Sequence, residues 1–368
     1  MTLRERDGGG QSAGSARFVS PQRHRIMKGM AIAPQPDYLH PSGLLIGRPP
    51  VKTTWPNGRV VRAVGESRVY PDLPPQMTFH EFVLQVFIDL VGKEWLKTEK
   101  AKPQDQQHVI SRWLEAWTTA RESGDFKVED EVLDIRSAEP TGDVLSLLVL
   151  AYDAYVLMHC GMLHQRLIDR LKTGFQGARY EMAVAALFAR AGFQITWITE
   201  SQTEKRPEFT AHHPLTGDTV IVEAKSRGRA GAFDRADRSK AGKVKADITG
   251  LVADARKKRT RGLPYFIFIE MNQPPTPETP VFEKEWVTDL QRRIGSQPNP
   301  TTETPDDYAV LAVTNFSWHY LKEKSVGGTP GEEVKIISLH PNAPVKNPKT
   351  LDLVQDALSQ YGQVPPWL

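Results

Sequence analysis

A chain of 368 residues, 39% hydrophobic and 25% charged, is longer than a usual single domain and apolar enough for a buried core, which excludes a fibrous or wholly disordered protein. Its one cysteine excludes a disulfide framework and a cysteine-rich zinc centre, and fits a reducing compartment. The net charge of +3 hides an asymmetry: residues 225–261 carry thirteen Lys/Arg against four Asp, the electrostatic footprint of a phosphate-backbone contact.

The first residues, MTLRERDGGGQSAG, are charged and then Gly/Ser-rich, so no signal peptide is expected. Residues 1–75 read as a flexible, extended arm with a short hairpin around Trp55-Pro56-Asn57-Gly58. From Thr78 the pattern turns helical. Phe79, Phe82, Val83, Val86, Phe87 and Leu90 recur at helical spacing, and Glu81, three residues after Thr78, completes a capping-box signal. Further helices are expected over residues 106–123 and 142–172, with Trp113, Trp117 and Cys160 in the core. The apolar stretch 144–162 contains Asp153 and His159, and so reads as a core helix rather than a membrane span. Residues 76–173 thus form an all-α domain with no catalytic signature, open to a homodimer contact or a protein partner.

Residues 174–342 make a second domain. A helix over residues 181–191 closes at Gly192. Strands follow at residues 193–199, 208–213 and 219–226, then a basic loop and a helix over residues 245–258. The run PYFIFIEM, residues 264–271, suits a buried central strand. A Pro-rich loop (273–280), a helix (282–294) and strands at residues 308–314 and 334–339 come next, and residues 343–368 are left as a C-terminal tail. This alternation predicts a mixed α/β sheet flanked by helices. The chain has no phosphate-loop, nucleophile-elbow or dinucleotide fingerprint.

The chemistry concentrates in the first half of that second domain. Glu181 lies on the helix, Glu208 follows Pro207, and Glu223-Ala224-Lys225 ends an apolar strand. Alternation puts Glu223 and Lys225 on one face. Pro214-Leu215-Thr216-Gly217 carries turn chemistry, and a hairpin folded symmetrically about Leu215 and Thr216 sets Glu208 opposite Glu223. Two bare carboxylates about 5 Å apart repel by roughly 3 kcal/mol at an effective dielectric near 20, and a divalent cation between them reverses the sign. Carboxylates beside an ammonium suit Mg²⁺ and a phosphate. The plainer reading is a solvated strand face whose glutamates are neutralised by Arg206 and Lys225. His212 and His213 point to opposite faces, as a polar pair beside the turn would.

Taken in order (helix with Glu, hairpin with Pro-Glu, strand with Glu-x-Lys, helix, strand), the chain resembles the PD-(D/E)XK, or restriction-endonuclease-like, nuclease superfamily. The matching residues are Gly177-Ala178-Arg179-Tyr180-Glu181, Pro207-Glu208 and Glu223-Ala224-Lys225. The match covers about residues 175–272, extending toward 341, and departs from the family at Glu208, where Asp is most often found. The resemblance implies a restriction-endonuclease-like mixed sheet flanked by helices, here preceded by the all-α domain. It implies a metal-dependent nuclease that hydrolyses phosphodiester bonds in DNA ahead of RNA. Glu208, Glu223 and the Ala224 carbonyl would hold Mg²⁺ or Mn²⁺. Lys225 would position or help deprotonate the attacking water, and Glu181 would orient a water from the helix. Arg227, Arg229, Lys243, Lys245, Arg256, Lys257 and Lys258 would hold the nucleic-acid backbone. A restriction or defence role follows from the family's habits, and a soluble, cytoplasmic protein is expected. Two other classes stay open: a catalytically silent nucleic-acid-binding module of the same fold, and a protein-assembly component acting through the helical domain.

Overall fold

The computed structural model describes residues 17–19, 50–54, 60–65, 68–74, 77–123, 127–130, 135–199, 205–228, 248–259, 262–322, 326 and 331–365. β1 (Arg17–Val19) is followed by an antiparallel three-stranded sheet of β2 (Val51–Thr54), β3 (Val60–Val64) and β4 (Arg68–Leu73). β2 and β3 pair with Val51 opposite Ala63 and Thr54 opposite Val60, so the expected hairpin is present; its turn at 55–59 lies outside the described residues. The surrounding arm is therefore partly sheet. Val60, Val61 and Val64 are buried, because β3 packs against the long helix over residues 142–159.

α1 (Phe79–Val91) starts with both halves of the capping box. The Glu81 N–H donates to Thr78 Oγ1 at 3.2 Å, and the Thr78 N–H donates to Glu81 Oε2 at 2.9 Å. α2 (Lys93–Lys100), α3 (Val109–Glu122) and the small hairpin of β5 (Lys127–Asp130) and β6 (Ile135–Ser137) follow. The single helix expected over residues 142–172 is two: α4 (Gly142–His159) and α5 (Gln165–Thr173). The break is built at Gly161, whose φ of 68° is easy only for glycine, while Met162 and Leu163 direct their N–H groups back to the Leu157 carbonyl. Among the described residues α4 is the one helix long and apolar enough to cross a membrane, and 78% of it is buried inside this protein.

The remaining elements are α6 (Phe175–Arg190), β7 (Gln194–Trp197), β8 (Phe209–His212), β9 (Thr219–Ser226), α7 (Thr249–Arg256), β10 (Tyr265–Glu270), α8 (Glu285–Gly295), β11 (Val310–Asn315), β12 (Glu332–Ile337) and α9 (Lys349–Ser359). They build a mixed sheet in the order β12-β11-β10-β9-β8-β7, with β1 added beside β12. β9, β10 and β11 run parallel, and the other neighbours are antiparallel. The hairpin of β8 and β9 has the predicted symmetry, with Phe209 opposite Val222 and His212 opposite Thr219.

Alternation along β9 gives the sheet two different faces. Val220, Val222 and Ala224 face one large apolar core with α6, α4 and α9; Ile221 faces a second core with α7 and α8. The first core runs without interruption from Phe82 in α1 through Tyr155 in α4 to Phe266 in β10. The expected division at residues 173/174 thus falls inside continuous packing. Residues 343–365 are likewise built in. Asp218 receives the N–H groups of Lys346 and Asn347 and the Thr350 hydroxyl, seating the start of α9, and Tyr361 lies with its ring centroid 4.1 Å from that of Phe316. What was expected as a tail is a core helix, because its Leu353, Val354, Ala357 and Leu358 stripe covers α6.

Candidate active site

Glu223 and Lys225 are carried by β9 on the face shared with Ile221, toward α7. Glu208 stands just before β8. Its N–H donates to the Val222 carbonyl at 3.1 Å, and its own carbonyl accepts from Ile198, so its backbone is fixed between two strands. The side chains of Glu208 and Glu223 meet at one group. Lys258 Nζ lies 3.2 Å from Glu208 Oε1 and 2.8 Å from Glu223 Oε1. Lys225 Nζ reaches the same Glu223 oxygen at 2.7 Å.

The Glu223 side chain is 0% exposed, against 13% for Glu208, 16% for Lys258 and 24% for Lys225. Glu223 Oε1 meets both ammonium groups, while Oε2 is buried with no hydrogen-bond partner among the described residues. Burial pushes its carboxyl up to about 6, with Lys225 and Lys258 pulling down and Glu208 pushing up. Burial alone would lower the Lys258 ammonium, but Glu208 and Glu223 outweigh it and hold the group well above the ordinary lysine range. The cluster is therefore two carboxylates balanced by two ammonium groups.

The local sequence explains why Lys258 arrives there. Val252 and Ala255 are the buried residues of α7, and Lys258 follows at the same three-residue spacing, so the stripe that seats the helix on the sheet also aims this lysine inward. Its N–H bonds back to Ala255 O at 2.9 Å, and the Tyr265 hydroxyl donates to the same carbonyl at 2.8 Å. The flanking cations go elsewhere. Arg256 stacks over the Tyr308 ring at 5.5 Å, and Lys257 is exposed and pairs with Asp254 at 2.7 Å. Arg227 is half-buried. Arg229, Lys243 and Lys245 lie outside the described residues.

Glu181 comes from α6, on the opposite face of the sheet. Arg170 of α5 grips both of its oxygens, one of them at 2.7 Å. Burial raises the Glu181 carboxyl, Arg170 opposes this, and the charge of Glu208 adds to the rise. Glu181 is thus coupled electrostatically to the cluster through Glu208, while its own hydrogen bonds go to Arg170. Beyond Lys225 the strand end is pinned. Gln176 donates to the Ser226 hydroxyl at 3.1 Å and to the Arg227 carbonyl, and the Arg227 N–H donates to Glu270 O at 3.1 Å. The Glu270 carboxylate, 0% exposed, accepts from Arg179, Thr314, Ser317 and the Phe316 N–H. His212 bonds Thr219 and His213 accepts from the Thr216 N–H, so both serve the turn.

Among the described residues no group of three or more His, Cys, Asp or Glu side chains could hold a metal ion by itself. The oxygen donors that converge are Glu208 and Glu223, with one main-chain carbonyl in reach of the same edge. The parallel ladder has Ile221 and Arg227 donating to β10, so the intervening even-numbered Ala224 directs its carbonyl to the other side, where β8 has not yet begun. Glu223 Oε2, buried and without a hydrogen-bond partner, is the observation that favours a cation here, since buried polar atoms are normally satisfied. Arg170 and the inward turn of Lys258 were not anticipated from the sequence; the 252–255–258 spacing was the available signal for the second. No protein-family model matches the chain, and no curated protein or solved structure is significantly similar to it.

Proposed function

We propose that this protein is a metal-dependent nuclease of the restriction-endonuclease-like kind, hydrolysing phosphodiester bonds in DNA ahead of RNA. The observation that carries the reading is the convergence of Glu208 and Glu223 on one cationic position beside Lys225, at the end of a central strand. The order of elements supports it: α6, the meander of β7, β8 and β9, then α7 and β10 follow the helix, three strands, helix, strand sequence expected of such a domain. The single cysteine is compatible with work in the cytoplasm, and a restriction or defence role is the setting the reading suggests.

Glu208, Glu223 and the Ala224 carbonyl would hold Mg²⁺ or Mn²⁺, and three protein oxygens suit an ion that keeps several waters. When bound, the ion supplies Lewis acidity, offsetting charge on the phosphoryl oxygens and making water more acidic. Lys225, partly open to solvent on the strand face of Glu223, would orient the attacking water and donate to a phosphoryl oxygen. Glu181 would act at one remove by raising the negative potential at Glu208. Arg227, Arg256 and Lys257, with Arg229, Lys243 and Lys245, would supply backbone contacts. The helical part would offer the surface for a protein partner or second copy.

A second reading is favoured by one specific observation, the ammonium of Lys258 between the two carboxylates. A lysine fixed there permanently would make the protein a nucleic-acid-binding module without catalysis. The test is incubation of supercoiled plasmid, single-stranded DNA and RNA with Mg²⁺, Mn²⁺ or EDTA. Cleavage that needs the metal supports the nuclease. Salt-dependent binding with no cleavage under any condition supports the silent module.

A further inference from the structure

Glu223 cannot be reached by solvent as the side chains stand. Both of its oxygens are buried, and the ammonium groups of Lys225 and Lys258 are 2.7 and 2.8 Å from Oε1. A divalent ion shared by Glu208 Oε1 and Glu223 Oε1 would compete for the position of Lys258 Nζ, which lies 3.2 and 2.8 Å from those oxygens. The two cannot occupy that space together. Charge gives the same answer: Glu208 and Glu223 are already neutralised by Lys225 and Lys258, so a divalent ion added without loss of an ammonium leaves an uncompensated double positive charge in a poorly solvated cluster. If Lys258 leaves, the set of two carboxylates, one lysine and the ion carries one net positive charge, the complement of one phosphodiester.

Resting on the reading of Glu208 and Glu223 as a cation site, we infer that Lys258 is a displaceable internal counter-ion. Its ammonium holds the position between the two carboxylates until a divalent cation takes it, and the freed side chain then turns to the entering phosphate. Lys225 is not equivalent. Among the described carboxylates it pairs with Glu223 and not with Glu208, and it can stay beside Glu223 on the strand when the ion enters. Lys258 is suited to move because it lies past the end of α7, in the turn that follows Arg256, so its side chain can turn away without unwinding the helix. The cluster therefore stays electrically balanced in both states, and cation binding is in direct competition with an ammonium of the same chain.

The test is Mn²⁺ binding, read by calorimetry on the full chain as wild type, Lys258→Met, Lys258→Arg and Glu223→Gln. The expected result is about tenfold tighter binding in Lys258→Met, within the usual range for coupled sites, with Lys258→Arg close to wild type and Glu223→Gln weakened. A lysine with a merely structural role would not give tighter binding when removed. Because the Met variant leaves two carboxylates facing each other and could misfold, the wild-type protein carries a second readout. Acetylation of Lys258, followed by mass spectrometry, should be slow without metal and about tenfold faster at saturating Mn²⁺, while Lys257 changes little. Equal Mn²⁺ affinity in wild type and Lys258→Met, or an unchanged acetylation rate in the wild type, would overturn the inference and leave the metal site standing. Absence of Mn²⁺ binding in every variant would overturn the metal site and the inference with it.

Discussion

Tyr361 donates a 2.6 Å hydrogen bond to Asp153, joining the C-terminal end of the described chain to the middle of the most apolar helix. Asp153 is 1% exposed, and burial pushes its carboxyl from 3.8 up to about 7, opposed by Tyr361, Arg190 and Arg179. The folded state thus holds a proton that the unfolded chain releases near pH 4. Between about pH 4 and pH 7 the folded protein binds more protons, so this group's contribution to stability falls as pH rises through that window. Replacing Asp153 with Asn, which keeps the shape without the charge, should remove that loss. Denaturant melts at pH 5 and pH 8 should show the variant gaining on wild type at the higher pH, by on the order of 3 kcal/mol. Equal pH profiles for the two proteins would contradict this assignment.

Gly362 closes the same region. Its φ is +95°, and an added Cβ would stand 2.7 Å from two ring carbons of Trp318. Gly362→Ala is expected to cost about 1–3 kcal/mol, through backbone strain and the forced shift of a buried indole. A thermal melt within experimental error of wild type would show that the end of the chain is not seated as described.

How much of this was legible in advance depended on distance along the chain. The capping box of Thr78 and Glu81, the Gly192 stop and the β8–β9 register are local, set by residues within a few positions of one another, and each could be read directly. The break between α4 and α5 could not, because apolar periodicity continues across it and a single Gly161 was the cue. The α9 stripe of Leu353, Val354, Ala357 and Leu358 is visible as a pattern, but its target on α6 is set by tertiary packing. In the site, Glu208, Glu223 and Lys225 were found because strand alternation and hairpin symmetry place them. Arg170 arrives from α5 and Lys258 from the turn after α7. In the run Arg256-Lys257-Lys258, only the phase of α7 against the sheet decides which cation turns in.

The grip of Arg170 on Glu181 separates structure from chemistry in the helix glutamate. Glu181→Ala and Arg170→Ala should each lower stability by about 1–3 kcal/mol, since each removes the two charge-assisted hydrogen bonds of a part-buried pair. The double variant should lose less than the two single losses combined. A double-mutant cycle by chemical denaturation measures this coupling directly. A coupling indistinguishable from zero would mean that the pair does not hold α5 to α6.

Lys257 offers a test of the basic surface that leaves the carboxylate cluster untouched, because it is exposed and pairs only with Asp254 among the contacts described. Lys257→Ala should weaken DNA binding to a similar extent for unrelated sequences and reduce the salt slope by about 1. The readout is binding measured across a salt series. An unchanged slope would place the nucleic acid elsewhere on the molecule.

The central claim is tested most directly by cleavage of DNA by wild type and Lys225→Ala, side by side, with Mg²⁺ and with EDTA, while binding to the same DNA is followed in parallel. Lys225 contacts Glu223 at the proposed centre and is the side chain assigned to the attacking water. The account predicts metal-dependent cleavage by the wild type, a loss of at least about a hundredfold in the variant, and binding that persists in both. Equal cleavage by the two proteins, or none by either with every metal and substrate, would contradict it.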